Sequence, residues 1–272
     1  MIIYNFYQPK MIDCVALILI CMIICTLIIC ICVSRTCTSK MNSLRGIPFY
    51  ISYDYGDDVE HYDYSNLGNP TTYTIDTDDF TLKAPTKTGY TFIGWTGSNG
   101  NTPQTTVTIV KGSTGDRNYV AHWEVTSYSI TYNLNGGTAD NPTTYTIESE
   151  TIILTNPTKT GYTFIGWTGS NGNIPQTTVT ITGTGDKSYT ANWSSNAYSI
   201  TYNLNGGIAD NPTTYTVDEP LTLTNPTKTG YTFTGWTGSN GSIPQTTVTI
   251  TGTGDKSYTA NWSIINYKID YA

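Results

Sequence analysis

Pro157-Thr-Lys-Thr-Gly-Tyr-Thr-Phe-Ile-Gly-Trp167 decides the architecture, because the same run stands at Pro85 to Trp95 and, with Thr in place of Ile, at Pro226 to Trp236. Trp95, Trp167 and Trp236 are 72 and 69 residues apart, and a second tryptophan closes each copy at Trp123, Trp193 and Trp262, 70 and 69 apart. Solenoid repeats are typically about 20–45 residues long, so a longer period describes an array of small domains, each with its own core. The division that follows is an N-terminal segment over 1–45, repeats over 46–127, 128–197 and 198–266, and the truncated start of a further repeat over 267–272. Domains of this size bury only about 60% of the surface their unfolded chain exposes and depend on a few large rings. The chain supplies 22 tyrosines and 6 tryptophans, every tryptophan lying in the repeats.

Outward from the quoted stretch, the second repeat reads as a series of short strands. Tyr128-Ser-Ile-Thr-Tyr-Asn-Leu134 alternates large apolar with small polar residues, the signature of a half-buried strand. Asn135-Gly136-Gly137 suits the positive φ of a tight turn and ends it. Thr144 to Ile147 and Ile152 to Leu154 are further strands, the latter stopped by Asn156-Pro157. Tyr162 to Trp167 has bulky residues of both parities and is expected to be covered on both faces, with Gly166 admitting close approach. Ser170 to Gly172 is a turn. Thr177 to Thr182 and Ser188 to Trp193 are expected to form a hairpin closed by Gly183 to Asp186. Ser194 to Ala197 reads as a four-residue link to the next repeat. No long window carries a 3.6-residue apolar period, so any helix is expected to be a single turn.

The first repeat departs from this pattern. Ile51-Ser-Tyr53-Asp-Tyr55 replaces the opening strand, and an acidic insertion runs from Gly56 to Gly68. Tyr267-Lys-Ile-Asp-Tyr271 restates the opening strand once more.

The N-terminal segment is of another kind. It carries all six cysteines and an uncharged run from Cys14 to Val33. That length matches the roughly 20 apolar residues of a transmembrane helix, so residues 14–33 are expected to enter a membrane. The alternatives are a cleaved secretory signal and a start at Met41. A signal core is usually only about 7–15 residues and ends at a small-residue cleavage site, which is missing here. Arg35, Lys40 and Arg45 behind the run argue for repeats in the cytoplasm. The composition of the repeats, rich in Thr, Tyr, Asn and Gly and without cysteine, argues for the outside, and long domains translocate largely regardless of flanking charge. An extracytoplasmic placement in the cell envelope is therefore expected. Five of the cysteines fall inside the run, which leaves no disulfide framework for the repeats.

Pro-x-x-x-Gly-Tyr-x-Phe-x-Gly-Trp, a closing Tyr-x-Ala-x-Trp and an opening Tyr-x-Ile-x-Tyr that leads into Asn-Gly-Gly together resemble the Listeria-Bacteroides repeat family, the internalin B-repeat. The motif positions are Gly161, Tyr162, Phe164, Trp167 and Trp193 in the second repeat. They recur as Gly230, Tyr231, Phe233, Trp236 and Trp262 in the third and as Gly89, Tyr90, Phe92, Trp95 and Trp123 in the first. The first repeat lacks Asn-Gly-Gly. The resemblance implies a compact, mainly β module related to the β-grasp fold, found in tandem in bacterial envelope and surface proteins, with no catalytic residues to carry over.

Repetition also tests for chemistry. Two charged features recur: Lys87, Lys159 and Lys228 of Pro-x-Lys, and the turns Asp116-Arg117, Asp186-Lys187 and Asp255-Lys256. Neither pairs a nucleophile with a base, and His122 becomes Asn192 and Asn261 in the other copies, so no enzyme, cofactor or small-molecule substrate is expected. Residues 46–272 carry net charge −10 against +3 for 1–45, which disfavours nucleic acid as a partner. Asp54, Asp57, Asp58, Glu60 and Asp63 are the only calcium candidates, and their spacing lacks EF-hand order. The sequence thus points to a spacer or adhesive stalk on the cell surface, the alternative being a module that binds a surface protein or glycan through exposed tyrosines.

Overall fold

The computed structural model describes residues 38–56 and 67–269. The Cys14 to Val33 run and Asp57, Asp58, Glu60 and Asp63 lie outside the described residues. Two compact units divide the chain, one up to Val125 and one from Thr126 onward.

In the first unit the strands are β1 (Phe49–Asp54), β2 (Thr72–Tyr73), β3 (Phe80–Thr81), β4 (Tyr90–Gly97), β5 (Gly100–Gln104), β6 (Thr108–Ile109) and β7 (Arg117–Val125). Five of them form one sheet in the order β2-β1-β7-β4-β5, and β3 pairs with β6 beside it. The opening strand therefore forms without Asn-Gly-Gly. Residues 38–43, in the N-terminal segment, are helical, and the described residues of the three repeats hold no α-helix.

The second unit holds two copies of this design. The second repeat has β8 (Tyr128–Asn133), β9 (Thr144–Tyr145), β10 (Tyr162–Gly169), β11 (Gly172–Gln176) and β12 (Lys187–Ser195), in sheet order β11-β10-β12-β8-β9. The third has β13 (Tyr198–Asn203), β14 (Thr214–Tyr215), β15 (Leu221–Thr222), β16 (Tyr231–Gly238), β17 (Gly241–Gln245), β18 (Thr249–Ile250) and β19 (Lys256–Ile264), in sheet order β14-β13-β19-β16-β17 with β15 paired to β18. The first and last strands of each copy run parallel at the middle of the sheet, β8 with β12 and β13 with β19. Parallel neighbours need a crossover, and the chain between them covers one face of the sheet. Leu154, Val179 and Ile181 from that crossover pack with Ile130, Tyr145, Trp167, Tyr189 and Ala191 into one buried cluster.

Three expectations are corrected. Residues 177–182 form no hairpin with β12: Thr180 bridges Ile153, as β18 pairs with β15 in the third repeat. Asp186 Oδ1 accepts the Ser129 amide at 2.8 Å, which pins the start of β12 to β8 and carries the chain away from residues 177–182. β10 is not covered on both faces, for Ile165 is 45% exposed. The register slips between Phe164 and Gly166, which face Trp193 and Asn192, so Ile165 is the extra residue of a β-bulge and is turned outward. The link between repeats two and three shrinks to Asn196 and Ala197, because β12 runs to Ser195.

The turn at Ser170 is present, and the strand after it, β11, was not read from sequence. All of β11 is exposed. Pro175 is tolerated there because an edge strand need not donate outward. Gly166 has φ +141 and a Cβ on it would lie 2.5 Å from the Gln176 amide nitrogen, so only glycine lets β10 and β11 close. Gly137 serves the other tryptophan: a Cβ there would meet Trp193 Cζ2 at 2.5 Å.

Candidate functional site

Each repeat is built around one tryptophan that is completely buried: Trp95, Trp167 and Trp236 are all 0% exposed. Because the bulge brings Phe164 onto the same face, its ring meets Trp167 edge-on at 5.4 Å and Trp193 at 5.5 Å. Tyr132 and Tyr189 complete the cluster at 5.9 and 6.4 Å from Trp167. The third repeat reproduces it, with Phe233 at 5.4 Å from Trp236 and 5.5 Å from Trp262. In the first, Phe92 lies 5.3 Å from Trp95 and 5.5 Å from Trp123. The closing tryptophans are half-buried, and each gives its indole N–H to a carbonyl at the end of the opening strand: Trp123 to Tyr55, Trp193 to Leu134 and Trp262 to Leu204.

The tyrosines are mostly turned inward as well. Tyr132 and Tyr202 donate to the carbonyls of Pro142 and Pro212 at 2.8 and 2.9 Å, and Tyr145 and Tyr215 to those of Gly185 and Gly254 at 2.7 Å. Burial, then the neighbouring Tyr189, pushes the Tyr132 phenol up to about 12, and burial with Tyr258 does the same to Tyr202. These phenols stay neutral donors at ordinary pH. Among the described tyrosines, those exposed on the surface are Tyr50, Tyr231 and Tyr267. Tyr50 stands where the other copies have Ser129 and Ser199, and the counterparts of Tyr231 and Tyr267 are half-buried.

The recurring charges are engaged within their own repeats. Lys159 Nζ sits 3.8 Å from the centre of the Tyr162 ring, Lys87 4.2 Å from Tyr90 and Lys228 4.1 Å from Tyr231. Asp116, Asp186 and Asp255 each accept a backbone amide at 2.8 Å, from Tyr50, Ser129 and Ser199. That bond holds the Asp186 and Asp255 carboxyls below the usual carboxylate range.

His122 is satisfied: Nε2 lies 2.7 Å from Thr96 Oγ1, where Asn192 and Asn261 bond Thr168 and Thr237. Asp54 Oδ1 accepts the Gly56 amide at 2.9 Å. The other four acidic candidates of the insertion lie outside the described residues. Among the described residues no group of three His, Cys, Asp or Glu is placed to hold a metal, and no helix is long and apolar enough to cross a membrane.

Sequence reading missed a third recurring charge. Tyr73-Thr-Ile-Asp76, Tyr145-Thr-Ile-Glu148 and Tyr215-Thr-Val-Asp218 each place an acid three residues after a buried tyrosine. Asp218 accepts a hydrogen bond from the Tyr162 phenol of the preceding repeat. Asp76 pairs with Arg45 at 3.4 Å. The signal was the shared Tyr-Thr-β-branched-acid run, hidden by the length differences on either side of it.

Comparison with known proteins agrees with this architecture. Residues 128–192 and 198–261 match the Listeria-Bacteroides repeat domain, and residues 65–127 match the divergent InlB B-repeat domain. A protein of Evansella cellulosilytica provisionally named Gly-rich membrane protein is 31% identical over 170 residues, 55% of this chain and 19% of its own length. Internalin H of Listeria monocytogenes serovar 1/2a is 31% identical over 102 residues, 37% of this chain and 18% of its own. A membrane protein of E. cellulosilytica, also provisionally named, is 27% identical over 161 residues, 56% of this chain and 23% of its own. The chain thus spans about a fifth of the length of these curated relatives. No solved structure matches. With two copies of one domain and one of its divergent form, the chain belongs to the Listeria-Bacteroides (InlB B-type) repeat family.

Proposed function

We propose that this is a non-enzymatic cell-envelope protein, anchored through residues 14–33 with its repeats outside the cytoplasm, whose tandem β modules act as a spacer or adhesive stalk. The position of the aromatic rings carries the reading. Rings that recur are turned into the core, as at Trp95, Trp167 and Trp236, whereas the exposed tyrosines fall at positions that are not equivalent. A surface that reads a glycan or protein once per repeat needs an exposed anchor in the same place each time.

Three further observations support the proposal. The Pro-x-Lys lysines and the turn aspartates, which recur in every copy, hold rings and backbone amides of their own repeat. Two relatives carry names of membrane proteins. Central parallel pairing of first and last strands supports the relation to the β-grasp fold.

Location is tested by adding protease to intact cells expressing the chain. Loss of the repeats is the expected result. Their survival until lysis would place them in the cytoplasm, the side that Arg35, Lys40 and Arg45 favour. Passing the purified chain over immobilised cell-surface glycans and proteins tests the spacer reading. Binding lost on Tyr50→Ala would make the repeats a recognition module instead.

A further inference from the structure

Repeats two and three, which share a compact unit, meet in a defined joint. The second repeat contributes a tail, Gly161 and Tyr162 at the start of β10. The third contributes a head, Val217 and Asp218 in the turn after β14 with Thr253 from the turn before β19. The Tyr162 phenol donates to Asp218 Oδ1. A Cβ on Gly161 would lie 2.8 Å from a Val217 methyl and 3.1 Å from Thr253 Cγ2, so the tail backbone rests directly on the head. Gly161 is buried there and Tyr162 half-buried.

The third repeat carries the same tail. Gly230 O accepts the Ile265 amide at 3.0 Å as Gly161 O accepts that of Asn196 at 2.9 Å. Lys228 lies over the Tyr231 ring as Lys159 lies over Tyr162. This copy is uncovered: a Cβ on Gly230 would have nothing within 4 Å, and Tyr231 is 38% exposed. Ile264 and Ile265 stand where the second repeat has Ser195 and Asn196, and they are 65% and 37% exposed. A tail that is built, apolar and bare sits at the far end of the third repeat.

We propose that the Gly230–Tyr231 face is a docking surface for the head of a further copy of this repeat, one turn offering a β-branched residue and a carboxylate and a second offering a threonine methyl. Continuity with the joint between repeats two and three selects this occupant, since the same tail residues in the same backbone bond are covered there by that head. The sequence behind the tail agrees: Tyr267-Lys-Ile269 restates Tyr198-Ser-Ile200, the strand with which a repeat begins. The head of the first repeat is engaged by other chemistry. Arg45 pairs with Asp76, and Met41 Cε lies 3.6 Å from the Cβ position of Gly112, the counterpart of Gly252 beside Thr253. Residues 41–45 thus lie against the first head.

The experiment uses tetranitromethane, which nitrates phenols through their phenolate, on the whole chain and on the chain lengthened by one copy of residues 198–266 placed after Asn266. Hydrogen bonding to Asp218 raises the pKa of Tyr162, and this shields it from the reagent. In the chain as it stands, Tyr231 should nitrate faster than Tyr162, and Asp218→Ala should bring Tyr162 up to the Tyr231 rate. In the lengthened chain, Tyr231 should fall to the Tyr162 rate. Equal rates in the unaltered chain would overturn the proposal, as would an unchanged Tyr231 rate in a lengthened chain whose added tryptophans are buried by fluorescence. Failure of the added copy to fold behind Tyr231 would count against it equally, because the same sequence folds behind Tyr162.

Discussion

Phe164 and Trp167 lie three residues apart in one strand and still touch on the same face, ring centroids 5.4 Å apart at an interplanar angle of 67°. In a regular strand this spacing would put them on opposite faces. The bulge at Ile165 removes the conflict, and the same slip recurs at Ile93 in the first repeat and Thr234 in the third. The core of every repeat depends on that extra residue.

The bulge rests on the glycine that follows it. Gly166→Ala would force a methyl to within 2.5 Å of the Gln176 amide nitrogen at a φ of +141. Strain and overpacking together should cost about 2–5 kcal/mol. Urea titration followed by tryptophan fluorescence should show an early transition from the second repeat. A chain that unfolds at the unaltered midpoint would mean that β11 simply swings away and the core does not need it.

Acid should loosen the parallel pairing of β8 with β12. The Asp186 carboxyl is held below its ordinary value by the Ser129 amide, so its folded-state pKa lies under its unfolded one. The stability it confers is present above the unfolded pKa of about 3.9 and is lost as pH falls through the folded value. Asp186→Ala should therefore lower the melting temperature at pH about 5–7, and the difference from the unaltered chain should close in stronger acid. A deficit that persists unchanged to the lowest pH would assign the loss to packing instead.

Calcium should leave the melting temperature of the chain nearly unchanged. Asp54 already spends one carboxylate oxygen on the Gly56 amide, and the acidic run after it lacks the ligand order of a calcium loop. A chelator-reversible rise at millimolar calcium would make Gly56 to Gly68 a binding loop.

Much of each module was legible because its signals are local. The alternation from Tyr128 to Asn133 is strand β8, Asn135 takes the positive φ of +49 that Asn-Gly implied, and the glycine before Trp167 marks a close approach. What escaped reading is long-range. Nothing near Lys187 says that it faces Ile130, 57 residues earlier and in parallel, so the arms around Gly183 to Asp186 resembled a hairpin. β11 escaped because Gly-Asn-Ile-Pro-Gln has neither alternation nor a buried residue, being held only by its neighbour β10. Partnership between Tyr162 and Asp218 spans a repeat boundary and exists only once both modules are folded.

The joint also bears on what a core mutation does to the rest of the chain. Trp167 is 0% exposed and touches Phe164, Tyr132 and Tyr189, so Trp167→Ala removes the centre of the second core. Replacing a buried tryptophan with alanine costs about 3–5 kcal/mol, comparable to all that a core of this size supplies, and the second repeat should unfold. Repeat three keeps its own cluster around Trp236 and loses only what Gly161 and Tyr162 gave to Val217 and Asp218. Nearest-neighbour coupling of this kind predicts damage that fades with distance. Limited proteolysis of the variant should cut within residues 128–197 and leave residues 198–266 as a resistant fragment, while nitration of Tyr162 rises. Collapse of both repeats together would show that the joint couples them into one cooperative body. A variant that folds normally and loses a surface ligand would make Trp167 a binding platform, which its complete burial opposes.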